Sequence, residues 1–263
     1  MNIHHTRTGR GKSLLLVHGL GGSINSWNTI SPALAQTREV IALDLPGHGQ
    51  TTAQADSGTF DGLARSLDDW LGEQGLTAID MVGSSMGARL VLEMARRGRA
   101  GAVVALDPGG FWQGWERTFF RTTISASIAL IRALRPALPV ISGNIAGRTA
   151  LMLQLSARPW ALDPGLIAHE LKSFADTRTF DALVSDLANG ANQQGPASTR
   201  APVVIGWGRK DRLCLPQQAD RAMAAFPSAT LHWFERSGHF PMWDQPEETV
   251  RLILNTTDTP PIR

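Results

Sequence analysis

Short apolar runs alternate with stretches of helical spacing in the first part of the chain. The first run, at 13–17, is apolar on both faces, which is typical of a strand buried in a parallel sheet. Further strands are predicted at 39–43, 78–82 and 102–106, and helices at 26–35, 60–71 and 88–96. Strands that alternate with helices in this way predict a parallel sheet with right-handed crossovers and helices on both faces.

The alternation stops between residues 111 and 199, where no strand is predicted and one helix signal follows another. Helices are predicted there at 117–135, 163–174 and 180–188. Strands then return at 203–207 and 230–234, and helices at 216–226 and 246–254. We therefore predict an α/β fold with a mostly parallel sheet of about seven strands. Its core would comprise 1–110 and 201–263, interrupted by an all-helical cap, or lid, at 111–200.

Composition narrows the class of protein further. Of the 263 residues, 43% are hydrophobic and 18% are charged, as in a globular fold rather than a disordered chain. The net charge of +2 and the lack of a Lys/Arg block argue against nucleic acid as a partner. Cys214 is the single cysteine, which excludes an intrachain disulfide. No secretory leader or membrane-spanning run is recognisable in the sequence, so we expect a cytoplasmic protein.

The pentapeptide at 83–87, Gly-Ser-Ser-Met-Gly, lies between a predicted strand and a predicted helix. A strand that turns sharply into a helix places the middle residue, Ser85, on a strained corner with its hydroxyl lifted clear of the backbone. Glycines are needed at both ends because a Cβ there would collide with the neighbouring chain. Ser85 is therefore the candidate nucleophile for attack on a carbonyl carbon.

A serine hydroxyl is a weak nucleophile, so it needs a base, and the base needs an acid to orient it. His239, one of seven histidines, follows the last predicted strand, and α/β sheets form their sites in loops beyond strand carboxyl ends. For the acid, Asp211 follows the strand at 203–207. Asp107 also ends a strand and is a rival, although its turn is explained by redirection of the chain into the insertion. We predict a triad of Ser85, Asp211 and His239.

A tetrahedral intermediate carries an oxyanion that needs fixed donors, each worth roughly 2.7–4 kcal/mol. The backbone N–H of Met86 is one candidate, because it follows the nucleophile at a helix N-terminus, where the dipole favours negative charge. The N–H of Leu20, in the glycine-rich turn after the first strand, is the other. His18 and His48 also lie in glycine-rich loops, and we predict structural hydrogen bonds for their rings.

Taken together, these residues resemble the α/β-hydrolase superfamily, in its serine-nucleophile branch with a helical cap domain. The resemblance covers nearly the whole chain and is carried by the oxyanion loop at 18–22, the loop at 44–49, the nucleophile elbow at 83–87, the acid loop at 208–211 and the histidine loop at 238–241. It implies the α/β-hydrolase fold and a Ser-Asp-His triad, but it says little about the substrate. We expect no cofactor and no metal ion.

Two features depart from the family pattern. About a dozen residues precede the first core strand, where relatives usually have a two-stranded hairpin. We therefore predict one short strand near 3–7 and expect the outermost antiparallel strand to be missing. The residue after His239 is Phe240, where relatives that cleave carbon–carbon bonds often have tryptophan. Family branches that open epoxides or remove halides use a carboxylate nucleophile, and Ser85 argues against both.

The insertion is expected to cover Ser85 as a lid over an apolar cavity. Trp112 comes after the last core strand before the insertion, and Trp27 lies near the oxyanion loop. Both are candidate substrate-binding residues, with packing in the core as the alternative for each. Phe240, next to the candidate base, is the third candidate substrate-binding residue.

The leading functional hypothesis is a serine hydrolase that cleaves a carboxylic ester of a small to medium, mostly apolar substrate. One alternative is a carbon–carbon hydrolase acting on a dienoic ring-cleavage acid. Arg117 and Arg121 are candidate ligands for a substrate carboxylate, with a solvated face as the alternative for both. Another alternative function is a ligand sensor that keeps the fold and turns over little. The expected partner is a small-molecule ester, and homo-oligomerisation is left open. The run at 124–141, with Arg132 and Arg135 near its end, also leaves contact with a membrane surface open, without stable insertion.

Overall fold

A seven-stranded sheet forms the centre of the computed structural model, which describes residues 2–196 and 201–258. The strands are β1 (His5–Gly9), β2 (Lys12–Val17), β3 (Arg38–Leu43), β4 (Ile79–Ser84), β5 (Ala100–Leu106), β6 (Val203–Gly208) and β7 (Thr230–Phe234). Their order across the sheet is β1-β3-β2-β4-β5-β6-β7. Only β1, paired with β3, runs antiparallel. The predicted α/β fold with a mostly parallel sheet of about seven strands is confirmed.

The described residues also form eleven α-helices. They are α1 (Ser31–Leu34), α2 (Phe60–Glu73), α3 (Met86–Arg96), α4 (Glu116–Ala133), α5 (Leu138–Gly143), α6 (Ile145–Met152), α7 (Pro164–Asp176), α8 (Phe180–Asn189), α9 (Gln218–Ala225), α10 (Pro241–Asp244) and α11 (Pro246–Asp258). Helices α4 to α8 lie between β5 and β6, and no strand occurs there among the described residues. The division into core and cap stays a prediction, and residues 197–200 at its predicted end lie outside the described residues.

The predicted helix at 26–35 is wrong as a single element. The structure has a 3₁₀ turn at Ile24–Trp27 and then the short helix α1. Pro32 explains the break, because it lacks the N–H that a continuous helix would bond to the carbonyl of Asn28. At the N-terminus one strand, β1, forms the edge of the sheet by pairing with β3. It begins two residues later than the strand predicted near 3–7.

The parallel strands bring four chain segments to one edge of the sheet. Strands β4, β5 and β6 are neighbours and end at Ser84, Leu106 and Gly208, and β7 pairs beside β6. Because their carboxyl ends meet at this edge, the loops that follow them lie close together. The residues of β4 are buried along its whole length, so the segment that enters the pentapeptide is rigidly held.

No helix in the described part of the chain is by itself both long and apolar enough to cross a membrane. One bent pair, α4 followed by 135–143 with an angle of 69° between the two parts, meets the same criteria of length and composition.

Candidate active site

Ser85 lies at the turn between β4 and α3, with φ of 56° and ψ of −116°. Few non-glycine residues adopt a positive φ, and the surrounding structure must hold the strain. Here the Ser85 N–H donates to the carbonyl of Leu106 at 2.9 Å. A Cβ at Gly83 would lie 2.2 Å from the carbonyl oxygen of Gly87, and one at Gly87 would lie 2.1 Å from that of Val17. The tight turn therefore needs both glycines, because a Cβ at either position would collide with the neighbouring backbone, as predicted from the sequence.

His239 and Asp211 are hydrogen-bonded in the interior. Nδ1 of the imidazole lies 2.8 Å from Oδ2 of Asp211, and both side chains are almost fully buried. The other carboxylate oxygen, Oδ1, accepts the N–H groups of Leu213 at 2.8 Å and Cys214 at 3.1 Å. These bonds fix the carboxylate plane and leave Oδ2 for the imidazole. With the Nδ1 proton directed at Asp211, Nε2 of His239 is the basic nitrogen, and it has no partner among the described residues.

Ser85 and His239 line one cavity of about 60 Å³. No hydrogen bond joins the two side chains within the described structure, and catalytic hydrogen bonds are often long until substrate binds. Apart from these two residues, the lining is mostly apolar, and it comes from the loop at Leu20, from α4 and α6, and from Phe174, Phe180 and Phe240. The helices between β5 and β6 therefore cover the candidate nucleophile.

The candidate oxyanion donors lie on either side of Ser85. Leu20 lines the cavity, and its loop approaches the nucleophile so closely that a Cβ at Gly19 would be 3.1 Å from Cβ of Ser85. Met86 is the first residue of α3. The first N–H groups of a helix lack partners within it and carry the positive end of the helix dipole. Both N–H groups are thus placed in segments that border the nucleophile.

The two histidines of the glycine-rich loops have structural hydrogen bonds. Nδ1 of His18 lies 2.7 Å from the carbonyl of Gly19, and its Nε2 accepts the N–H of Leu45 at 3.0 Å. Burial lowers the pKa of His18, which keeps the ring neutral. A neutral imidazole can donate from Nδ1 and accept at Nε2 at the same time. Burial, and then the neighbouring His18, lowers the pKa of His48 to about 3. His18 therefore ties the oxyanion loop to the loop after β3.

Asp107, the rival acid, directly follows β5 and is fully buried beside Asp211. Its Oδ1 accepts the N–H of Gly208 at 2.8 Å, and its Oδ2 has no partner among the described residues. Burial first, and the charge of Asp211 second, raise the pKa of Asp107 well above its usual value. The carboxyl bonded to His239 is that of Asp211, whereas Asp107 accepts the N–H of Gly208 at the start of the acid loop.

Among the candidate substrate-binding residues, Phe240 lines the cavity, with its ring centroid 4.9 Å from that of His239. Trp27 is fully buried, and Trp112 stacks on Phe120 with 4.7 Å between centroids. Neither tryptophan is among the described residues that line the cavity, so the structure gives both of them packing positions. This is the alternative that the sequence left open for them.

Several cavity residues were not predicted from the sequence. Phe174 of α7 and Phe180 of α8 both contact the oxyanion loop, since a Cβ at Gly21 would lie 2.8 Å from each ring. In the sequence they are ordinary apolar positions of amphipathic helices. Asp244 does not line the cavity, but it too is buried and was not predicted to have a role. The only feature of the sequence that could have indicated one is its position five residues after His239.

Asp211, Cys214 and His239 also offer ligand atoms of the kinds that bind metal ions, all within 4.8 Å of one another. The donor set fits a metal poorly. Asp211 already accepts bonds on both oxygens, and burial raises the pKa of the Cys214 thiol well above its usual value. A thiol must lose its proton to bind a metal.

A larger groove of about 600 Å³ lies on the surface between the loop after β3 and α7. Its lining includes Asp44, His169 and Lys172, but neither Ser85 nor His239. The candidate chemistry is therefore in the smaller cavity, which Ser85 and His239 line.

The model of the alpha/beta hydrolase family matches residues 14–252. The chain belongs to this family. The prediction that it is an α/β-hydrolase enzyme is confirmed at this level, and the match includes all five segments that carried the resemblance.

Two relatives and one solved structure illustrate the range of similarity to known proteins. An uncharacterized protein of Mycobacterium tuberculosis is 29% identical, over 95% of this chain and 76% of that protein. A 2-hydroxy-6-oxo-6-phenylhexa-2,4-dienoate hydrolase of Burkholderia cepacia is 26% identical, over 96% of this chain and 90% of the relative. The solved structure of an esterase from Exiguobacterium antarcticum has a TM-score of 0.79 at 17% sequence identity, over 98% and 96% of the two chains. The last of these shows a shared fold.

Proposed function

We propose that the protein is a serine hydrolase that cleaves a carboxylic ester of a small to medium, mostly apolar substrate through an acyl-enzyme. The observation that carries this proposal is the bond of 2.8 Å between His239 and Asp211. It leaves Nε2 of the imidazole without a partner among the described residues, on a side chain that borders the same cavity as the strained Ser85.

In the proposed reaction, Oγ of Ser85 attacks the carbonyl carbon while its proton passes to Nε2 of His239. The N–H groups of Leu20 and Met86 stabilise the charge that forms on the carbonyl oxygen. His239 then gives the proton to the departing alcohol, and the C–O bond of the ester breaks. Water attacks the acyl-enzyme with His239 again as base, which releases the carboxylic acid and restores Ser85.

Asp211 supports this reaction from the other side of the imidazole. Its carboxylate holds the proton on Nδ1, so that Nε2 is free to accept the proton of Ser85. It also stabilises the imidazolium that forms during attack. The N–H groups of Leu213 and Cys214 on its second oxygen keep the carboxylate from rotating away.

The cavity supports a small acyl group. A volume of about 60 Å³ is room for roughly four water molecules. Gln154, Ser127 and the two catalytic candidates are the polar members of the described lining, and no arginine or lysine is among them. An uncharged acyl chain of a few carbon atoms fits this lining better than an ionised one, because a buried charge needs a partner.

A covalent probe tests the proposal directly. After incubation with a fluorophosphonate, intact and peptide mass spectrometry should place the adduct on Ser85. The wild type should hydrolyse p-nitrophenyl esters, with acetate or butyrate preferred over long-chain acids. Ser85→Ala should remove both the labelling and the turnover.

The chain offers a matched control in the neighbouring serine. Ser84 is fully buried, and its hydroxyl has no partner in the described structure, so Ser84→Ala removes no hydrogen bond there. We expect this variant to keep both labelling and ester turnover. Equal turnover by wild type and Ser85→Ala would contradict the proposal, and saturable binding of an ester without product release would favour a ligand sensor instead.

Carbon–carbon bond hydrolysis is the second candidate, favoured by the relative from Burkholderia cepacia named for that chemistry. A dienoic acid substrate would need a cation for its carboxylate. Arg117 instead donates to the carbonyls of Ala188 and Gly190, and Arg121 is exposed. Neither lines the cavity. We therefore expect kcat/KM for a ring-cleavage dienoate, followed by its absorbance, to lie far below that for short esters.

A further inference from the structure

The segment 117–162, which contains most of α4 and all of α5 and α6, has no aspartate or glutamate. It has no lysine either, but it has six arginines, at positions 117, 121, 132, 135, 148 and 158. We call it the acid-free segment. Acidic residues return immediately beyond it, at Asp163 and Glu170. A solvated protein surface normally mixes both signs of charge, so this one-sided composition is unusual for exposed helices.

Exposed apolar side chains are concentrated in the same part of the chain. The large hydrophobic side chains that are exposed among the described residues are Trp115, Leu130, Val140, Ile145, Leu153 and Trp160. All of them lie within the acid-free segment or, for Trp115, two residues before it. Along α4 the exposed positions hold threonine, serine, alanine and leucine, with Arg121 as the only charged residue. Single exposed apolar residues are normal, but this concentration indicates an interaction surface.

The positive charge of the segment is only partly neutralised by its surroundings. Arg132 pairs with Asp181 at 2.7 Å, and Arg135 pairs with Asp176. Arg121 and Arg158 are both exposed, and neither has a carboxylate partner among the described residues. Arg158 donates instead to the backbone carbonyl of Asp244. The exposed side chains of the segment are therefore apolar or basic, with no acidic residue among them.

We propose that the acid-free segment docks on the surface of an anionic lipid bilayer. Exposed tryptophans such as Trp115 and Trp160 favour the bilayer interface, and exposed arginines are attracted to acidic headgroups. A second copy of the chain is a poorer occupant. A symmetric contact through this surface would bring arginines of the two copies together, and the segment has no carboxylate that could pair with them. The docking involves the solvent side of the helices and does not depend on the reaction proposed above.

Co-sedimentation with sucrose-loaded vesicles tests this proposal on the full chain. We expect the protein to pellet with vesicles of equal parts phosphatidylcholine and phosphatidylglycerol, and at least about tenfold less with phosphatidylcholine alone. Higher salt should weaken the binding. Arg121→Gln should lower the bound-to-free ratio about fivefold, and Val140→Ser combined with Trp160→Ser should lower it at least about tenfold. Because these side chains are exposed, the variants should keep the melting temperature of the wild type.

Arg251→Gln is the matched control, since Arg251 is also exposed but lies on α11, outside the segment. It should bind vesicles as the wild type does. The proposal is overturned if the wild type fails to pellet with the mixed vesicles, or if it binds both compositions equally. It is also overturned if light scattering shows a dimer that Val140→Ser with Trp160→Ser dissociates while vesicle binding is absent, because the surface would then belong to a second copy.

Discussion

The backbone N–H of His239 donates to the carbonyl of Leu155 at 2.9 Å. The loop that carries the candidate base is thereby bonded to the helical region that covers Ser85. Asp244 strengthens this connection. Its buried carboxylate accepts the hydroxyl of Ser156 at 2.5 Å, the N–H of Ala157 at 2.8 Å and the N–H of Gly238 at 2.8 Å. One side chain therefore joins both segments.

We expect the role of Asp244 to depend on its hydrogen bonds rather than on its charge. Asp244→Ala leaves two buried N–H groups without an acceptor, at about 1–3 kcal/mol each, and should lower both the melting temperature and kcat. Asp244→Asn can still accept these N–H groups with Oδ1, while its amide donates to the Ser156 hydroxyl. It should recover most of both quantities. Thermal unfolding and ester kinetics of the two variants check this. Losses of melting temperature and kcat in Asp244→Asn as large as those in Asp244→Ala would contradict it.

Exchanging each of the two neighbouring aspartates for asparagine should separate their roles. Asp211→Asn removes the carboxylate that holds the Nδ1 proton of His239, and kcat should fall on the order of 10⁴-fold. Asp107→Asn keeps an oxygen that accepts the N–H of Gly208 and leaves the bond between His239 and Asp211 in place, so kcat should stay within about tenfold of wild type. The measurement is kcat for a short ester. A loss at Asp107 as large as that at Asp211 would make Asp107 the acid.

Glu170 should make the stability of the protein depend on pH. It lies fully buried on α7 and accepts the hydroxyl of Ser26 at 2.9 Å. Burial raises its pKa from 4.5 to about 8. The folded protein thus keeps a proton that the unfolded chain loses, so the stability present at low pH is lost as the pH rises from about 4.5 to about 8.

Glu170→Gln, which is neutral at every pH, should remove this dependence. At about pH 5 the variant and the wild type should melt at similar temperatures, and at about pH 8.5 the variant should melt higher. Thermal unfolding at both pH values is the measurement. Glu235→Gln, on an exposed carboxylate, is the control and should not change the pH profile. If the wild type and Glu170→Gln melt at the same temperature at the higher pH as well, burial of the Glu170 carboxyl does not control the stability and the assignment is refuted.

Gly87→Ala should abolish the turn that presents the nucleophile. Its Cβ would lie 2.1 Å from the carbonyl oxygen of Val17 and 2.4 Å from that of His18, and neither backbone group can move without displacing β2. We expect a destabilisation of at least about 3 kcal/mol and loss of labelling at Ser85. Gly143→Ala is the control, because nothing lies within 4 Å of a Cβ there. Urea unfolding of both variants checks the difference.

The order of strands and helices could be predicted from the sequence, because the two kinds of element leave different patterns. A buried strand is apolar on both faces, whereas a surface helix is apolar on one face only. The runs that became β2 and β6 show this, as does α2, predicted at 60–71 and observed at Phe60–Glu73. The short helices α5, α6 and α10 were not predicted. They begin beside proline or contain glycine, and they are too short for a repeating apolar pattern to emerge.

The sequence by itself determined the α/β fold and the loops that carry Ser85, Asp211 and His239, because turn glycines and strand ends leave local signals. Only the tertiary structure decided which carboxyl meets the imidazole, that Trp27 and Trp112 pack away from the cavity, and that Asp244 joins two distant segments. These depend on which side chains share a buried space. That is set by how separate elements pack together, and no local pattern along the chain records it.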